Sequence, residues 1–366
     1  MSSIFSWQRE LWRLLAPADK PAPAYALGHA LLLRGRKGIG KLAFARCLAK
    51  SLLCRRPMPG GLPCGECASC AWFENGGHPD FCLIEPAAFS EAPDSPEHAE
   101  ANEKGAAEAS AAETAGGKKA SKKPSKQIIV EQIRNAAEFI NISSHQNGYK
   151  IVLIHPAETM NAAAANALLK NLEEPPPRTL FILVTHQAQY LLPTIRSRCR
   201  HVAMPAPDRV VALDWLRQQG IKRPETCLAS AGYAPLAALE FSDGNYLELY
   251  DSFMQQVSNR EMNPVALADR MQKADLPTVV NWLQKWCYDL MSFCVAGEIR
   301  YHPDRSAAIK SLAHMIDARS LSAYLGSLNE AQQRATHPLN PRLFLEDLLF
   351  SYVKALSRSS RESTSL

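Results

Sequence analysis

The stretch GRKGIGKLAF, residues 35–44, follows the apolar run HALLLRG and opens a pattern with helical spacing. Its Gly35, Gly40 and Lys41 satisfy Gly-x-x-x-x-Gly-Lys. Glycines in such a turn let backbone N–H groups approach phosphates, and the N-terminus of the next helix adds a favourable field. Lys41 is placed to reach the β and γ phosphates. The following position should carry a hydroxyl for magnesium, and here it is Leu42. The motif predicts a strand–turn–helix cradle that lacks its metal hydroxyl. A relic loop that keeps the turn glycines without binding ATP fits the same residues.

Outward from this loop, apolar runs alternate with helical patterns. HALLLRG (29–35), DFCLIEP (80–86), KIVLIHP (150–156), RTLFILVT (178–185) and CRHVAMP (199–205) read as five strands. KLAFARCLAKSLLC (41–54), IIVEQIRNAAEFIN (128–141) and NAAAANALLKNLEE (161–174) read as helices, the last stopped by three prolines. Continuous apolar strands between helices imply a parallel α/β sheet covered on both faces. The N-terminal MSSIFSWQRELWRLL reads as an amphipathic helix rather than a secretory signal. After Pro205 the strands stop. Residues 208–244 suggest a small helical unit and everything from 245 is helix-like, with Trp282, Trp286, Leu290 and Phe293 along one stripe suited to a core or subunit interface. The expected plan is an α/β domain over 1–206, a helical lid over 207–244 and an all-helical domain over 245–366.

Composition sets the bounds. The 366 residues suit two or three domains, and 46% hydrophobic with 21% charged residues is that of a soluble globular protein. No apolar run approaches the roughly 20 residues of a membrane span, so no membrane contact is expected and the cytoplasm is the default location. A net charge of +5 permits nucleic-acid contact without requiring it. Residues 87–126 hold one Phe and no Leu, Ile, Val, Met or Trp, which predicts a disordered insertion.

Ten cysteines are present, and four crowd into residues 54–70. Cys54, Cys64, Cys67 and Cys70 form a Cys-x9-Cys-x2-Cys-x2-Cys array, and the Gly/Pro-rich spacer lets the chain loop back. Four thiolates with no open position predict a structural zinc site, with an iron–sulfur cluster or unligated thiols as the alternatives. His78 and Cys82 are not expected to bind the metal.

A phosphate loop needs a second element, an acidic pair at the end of a later strand. IVLIHPAETM offers His155 and Pro156 there. Proline has no polar side chain, and imidazole suits hard magnesium poorly. Glu158 reads as a helix N-terminal acid favoured by the dipole. With hydroxyl and carboxylates both missing, no magnesium is held in cis and intrinsic hydrolysis should be negligible.

Three further segments carry a resemblance. NALLKNLEEPPP (166–177) resembles the signature helix of bacterial clamp-loader subunits, and TLFILVTHQAQYLLPTIRSRC (179–199) is similar to their sensor-one strand and Ser-Arg-Cys motif. The cysteine array followed by GGHPDF (76–81) is typical of the same group, and LNPRLFLEDLLFSYVKAL (339–356) extends the likeness into a collar-like C-terminal domain. The resemblance to the AAA+ clamp-loader family of DNA polymerase III implies a P-loop NTPase-like fold. It implies a heteropentamer with delta and the gamma/tau motor subunits, acting on the sliding clamp and primed DNA within a nucleotidyltransferase holoenzyme. It makes Arg198 an arginine finger aimed at ATP on a neighbour, and Thr185 a vestigial sensor-one residue beside Gly35, Gly40 and Lys41. A motor subunit would carry a sensor-two arginine near Leu236, where this chain has no cation. The degenerate loop and missing acids imply the non-hydrolysing member of the complex. Glu173 and Glu174, at a helix C-terminus, point either to solvation or to a basic partner face.

Two other classes remain open on the residues. Lys41 is compatible with a DNA-dependent ATPase of unusual metal ligation. The cysteine array is compatible with a zinc-dependent nucleic-acid-binding module, against which stand the modest charge and the absence of a basic-aromatic stripe.

Overall fold

The computed structural model describes residues 4–16, 27–90, 124–142, 144–145, 148–242, 244–314, 316–335, 337 and 339–356. The chain divides into two compact units, Met1–Pro205 and Ala206–Leu366.

The first unit is built on five parallel strands: β1 Ala30–Arg34, β2 Phe81–Ile84, β3 Lys150–Ile154, β4 Thr179–Thr185 and β5 Arg200–Ala203. Their order across the sheet is β2-β3-β4-β1-β5. Every strand lies inside a run read as one from the sequence. Among the described residues seven helices accompany them: α1 Arg9–Leu15, α2 Lys41–Leu53, α3 Ala68–Glu74, the single turn α4 Ala87–Ser90, α5 Val130–Asn141, α6 Ala162–Glu173 and α7 Pro193–Arg198. Alternation along the strands sorts the two faces. Ala30 and Leu32 of β1, Val152 and Ile154 of β3, and Phe181 and Leu183 of β4 share a core with Ile133, Ala136 and Ile140 of α5, Leu168 and Leu172 of α6, and Ile195 of α7. On the other face lie Leu31, Leu33, Ile151 and Leu153, fully buried, where α2 packs against β1, β3 and β4. Burial on both faces explains why the central strands β1, β3 and β4 read as apolar runs, whereas the edge strand β5 carries the exposed Arg200 and His201.

α1 is preceded by a 3-10 turn at Ser6–Gln8, and Gln8, Trp12 and Leu15 form its buried stripe. Of the insertion expected over 87–126, residues 91–123 lie outside the described residues. Its two ends are ordered, with Ala88 N donating to Ser125 O at 3.0 Å.

The second unit is helical throughout its described residues: α8 Arg209–Gln218, α9 Pro224–Ser230, α10 Pro235–Phe241, α11 Gly244–Val257, α12 Pro264–Met271, α13 Leu276–Ala296, α14 Ser306–Ala313, α15 Ala318–Arg334 and α16 Pro341–Leu356. One core runs from Ala212 in α8 to Ala355 in α16, with Trp282, Trp286 and Leu290 of α13 inside it. The aromatic stripe read from the sequence is therefore core. Its polar atoms are satisfied: Trp286 Nε1 donates to Tyr352 Oη at 2.8 Å, and Tyr352 donates to Val257 O at 2.9 Å. Asp289, fully buried, accepts from the backbone N–H groups of Arg300, Tyr301 and His302 and pairs with His302 Nδ1 at 2.9 Å, which pins the segment between α13 and α14. Among the described residues no helix is long and apolar enough to cross a membrane.

Candidate functional site

The phosphate loop joins β1 to α2, at the sheet edge where the strands end and where ligands bind in open α/β sheets. Gly40 is the residue before α2, with φ +87°, in the left-handed region. An added Cβ would lie 2.6 Å from the Phe5 ring. Lys41 is buried, and its ammonium donates to Gly35 O at 2.7 Å and to Arg36 O at 2.5 Å. Burial lowers its pKa to about 8, partly opposed by the negative charge of Glu158. The cation is thus spent on carbonyls of its own loop.

The N-terminal turn closes over the same loop. Gln8 Nε2 donates to Ile39 O at 3.0 Å and Gly40 O at 3.1 Å, and Trp7 Nε1 donates to Ile39 O at 3.1 Å. Phe5 stacks on Trp7 with ring centroids 4.7 Å apart. Sequence reading missed this cover. The signal was a glutamine standing at the 8/12/15 spacing of an otherwise apolar stripe. Gly40→Ala is expected to lower stability by about 1–3 kcal/mol in denaturant unfolding, because it combines left-handed strain with a clash on Phe5.

At the end of β3 the acidic pair is absent, as expected. His155 Nδ1 contacts Glu85 Oε1 at 2.9 Å, and its ring packs edge-on to His186 with centroids 5.5 Å apart. Burial, then the charges of Lys41, His155 and Lys37, hold His186 down at about 3, so this imidazole is neutral. Glu158 sits in a short 3-10 turn, Ala157–Thr159, and accepts from His186 N at 2.9 Å. Its carboxylate therefore serves the backbone after β4 rather than an α-helix N-terminus. Thr185, fully buried at the end of β4, lies in register with Arg34 of β1, and its hydroxyl accepts from Gln187 N at 3.2 Å. Gly35, Gly40, Lys41 and Thr185 are thus brought to one edge of the sheet.

Arg198 is at the other edge. It ends α7, immediately before β5, and β5 starts with Arg200 in register with Leu31 near the beginning of β1. The five residues of β1 separate the two edges by roughly 16 Å at about 3.3 Å per residue. Arg198 Nη2 pairs with Glu173 Oε1 at 2.6 Å, and Nη1 donates to Thr194 O at 3.0 Å. The acid at the end of α6 therefore has a cation within its own chain, a third possibility beside solvation and a basic partner.

The four cysteines converge. Cys54 follows the last residue of α2 as its C-cap, Cys70 lies in α3, and all four sulfurs lie within 4.8 Å of one another. Cys54 and Cys64 are 3.5 Å apart, and the pairs Cys54–Cys67 and Cys64–Cys70 are each 3.9 Å apart. These separations are too long for disulfides. They match the ~3.8 Å between sulfurs of a tetrahedral site with Zn–S near 2.3 Å. The four thiols are placed to hold a metal such as zinc. The spacer turns back through Gly60 and Gly61, and Trp12 Nε1 donates to Gly60 O at 2.9 Å, tying α1 to it. His78 is engaged elsewhere: Nε2 meets Ser69 Oγ at 2.9 Å and Nδ1 accepts from Asp80 N at 3.0 Å.

The doubly covered parallel sheet, with a glycine-rich turn after its first strand, is a P-loop NTPase-like fold of the AAA+ type. A protein-family model described as "DNA polymerase III, delta subunit" matches residues 13–208, and one described as "DNA polymerase III, delta subunit, C terminal" matches residues 244–353. The chain belongs to the delta-prime family of DNA polymerase III subunits. It is 32% identical over 332 residues to DNA polymerase III subunit delta' of Pseudomonas aeruginosa, covering 86% of this chain and 88% of that protein. It is 30% identical over 346 residues to the delta' subunit of Yersinia pestis, covering 90% of each chain. To that of Escherichia coli K12 it is 28% identical over 343 residues, covering 90% of this chain and 91% of that one.

Proposed function

We propose that this chain is a non-hydrolysing subunit of the replicative clamp loader, which lends an arginine to ATP hydrolysis on a neighbouring motor subunit. One observation carries the reading. Arg198 stands at the sheet edge opposite its own phosphate loop, so a nucleotide within its reach must belong to another chain. A guanidinium supplied in trans neutralises charge on the transferring phosphoryl group, as arginine fingers do. The chain's own loop supports the complementary half. Lys41 is turned onto backbone carbonyls, residues 5–8 cover Ile39 and Gly40, and neither a hydroxyl at Leu42 nor acids at His155 and Pro156 are available for magnesium. Nucleotide binding in cis is therefore weak or absent, and Thr185 is a relic.

In this reading residues 207–244 form the lid and 245–366 the collar that joins delta and the gamma/tau motor subunits in a heteropentamer. The assembly loads the sliding clamp onto primed DNA in the cytoplasm. Zinc on Cys54, Cys64, Cys67 and Cys70 is structural, because four thiolates leave no open coordination position for chemistry. The purified chain alone is expected to release no phosphate above background, with or without primed DNA. Turnover at motor-like rates that Lys41→Ala abolishes would instead establish an ATPase.

A further inference from the structure

We propose that Glu173 is a positioning residue for Arg198, fixing the direction in which the guanidinium leaves the chain. The inference rests on the reading of Arg198 as a finger acting in trans. Three observations carry it.

The first is that Glu173 stands where the backbone disfavours it. It is the last residue of α6, whose C-terminus is the negative end of the helix dipole. The pair it forms with Arg198 is exposed, with 48% of the Glu173 side chain and 35% of the Arg198 side chain open to solvent. Exposed pairs contribute little to stability. The acid therefore does little for the fold, and its effect is on where the guanidinium sits.

The second is the number and kind of anchors. A free arginine side chain samples many rotamers, and ordering it at the moment of reaction is costly. Here Nη2 is held by the Glu173 carboxylate and Nη1 by Thr194 O, one turn back in α7. A guanidinium has five N–H donors, so three remain after these two bonds. That is enough for a two-pronged approach to phosphate oxygens.

The third is that the core fixes the anchors relative to one another. Leu172, the neighbour of Glu173, and Ile195 of α7 are buried in the same apolar cluster, so α6 and α7 are packed together beneath the pair. The backbone that carries the carboxylate is thus fixed relative to α7, and the pair itself sets where the two side chains meet. Misplacing a catalytic group by about 1 Å can cost on the order of a hundredfold in rate, which sets the scale at which loss of the pair matters.

The test uses the full complex, reconstituted from this chain with delta and gamma/tau subunits, the clamp and primed DNA. Glu173→Gln keeps the shape and removes the charge. It is expected to lower the single-turnover rate of ATP hydrolysis at the site facing this chain by about tenfold, with KM for ATP, complex assembly and thermal melting unchanged. The double variant with Arg198→Ala should be no slower than Arg198→Ala alone, since Glu173 acts only through that arginine. A Glu173→Gln rate equal to or above the parent, with Arg198→Ala still slow, overturns the positioning role and leaves the finger intact. Additive losses in the double variant overturn it too. An Arg198→Ala complex as fast as the parent overturns the finger reading itself.

Discussion

Arg198→Ala, assembled with delta and gamma/tau subunits on primed DNA, is expected to slow ATP hydrolysis at the neighbouring site by about three orders of magnitude. That is the lower end of what an arginine finger contributes. The variant should still fold and assemble. The side chain is partly exposed, and its ion pair with Glu173 is of the surface kind that contributes about 0–1 kcal/mol. Arg198→Lys should recover little of the rate, because an ammonium keeps the charge but not the planar fork. Single-turnover hydrolysis measures the effect, since it separates the affected site from others in the same assembly. Equal rates for parent and alanine variant would reject the role.

The second large effect concerns the cysteines. One zinc per chain is expected in metal analysis. Cys70→Ser, at a position with no solvent exposure, should lose the metal and the order of residues 54–78 together. Forming a structural zinc site contributes on the order of 10 kcal/mol in small zinc peptides. Most domains have a total stability of about 5–15 kcal/mol. The variant should therefore melt well below the parent and be cut by protease within the spacer, and chelation should do the same to the parent. The damage should spread to α1 through the bond from Trp12 Nε1 to Gly60 O. A metal-free chain that melts with the parent would remove zinc from the account.

Much of the fold was legible because its elements are long and apolar. The central strands β1, β3 and β4 are apolar runs bounded by Gly, Pro or a charge, and each long helix of the first unit keeps its spacing. Two short helices, α3 and α7, were not. α3 and α7 have 7 and 6 residues, too few for a period to repeat, and α3 lies among residues selected to place thiols. The cysteine site was readable from spacing alone, since ligands two residues apart constrain one another locally. The phosphate loop was readable for the same reason. What the sequence hid were partnerships between distant segments: Gln8 on Ile39 and Gly40, His155 on Glu85, and Glu173 on Arg198. Each joins residues 25 to 70 positions apart, and no local pattern encodes which surface loop a polar side chain will meet. Glu158 shows the limit in one residue. Local rules gave it a dipole role, and the tertiary fold gave its carboxylate to His186 N.

The placement of Arg198 and the phosphate loop on opposite borders of one sheet also governs symmetry. A two-fold contact buries the same patch on both copies, residue i meeting j and j meeting i, so an arginine on one border would meet a loop on the other only if that single patch spanned both. A head-to-tail contact, in which the two faces of a junction differ, sets one border against the other without that constraint, as the proposed role of the arginine requires. In the proposed role the subunit is thus directional, donating across one side without receiving on the other.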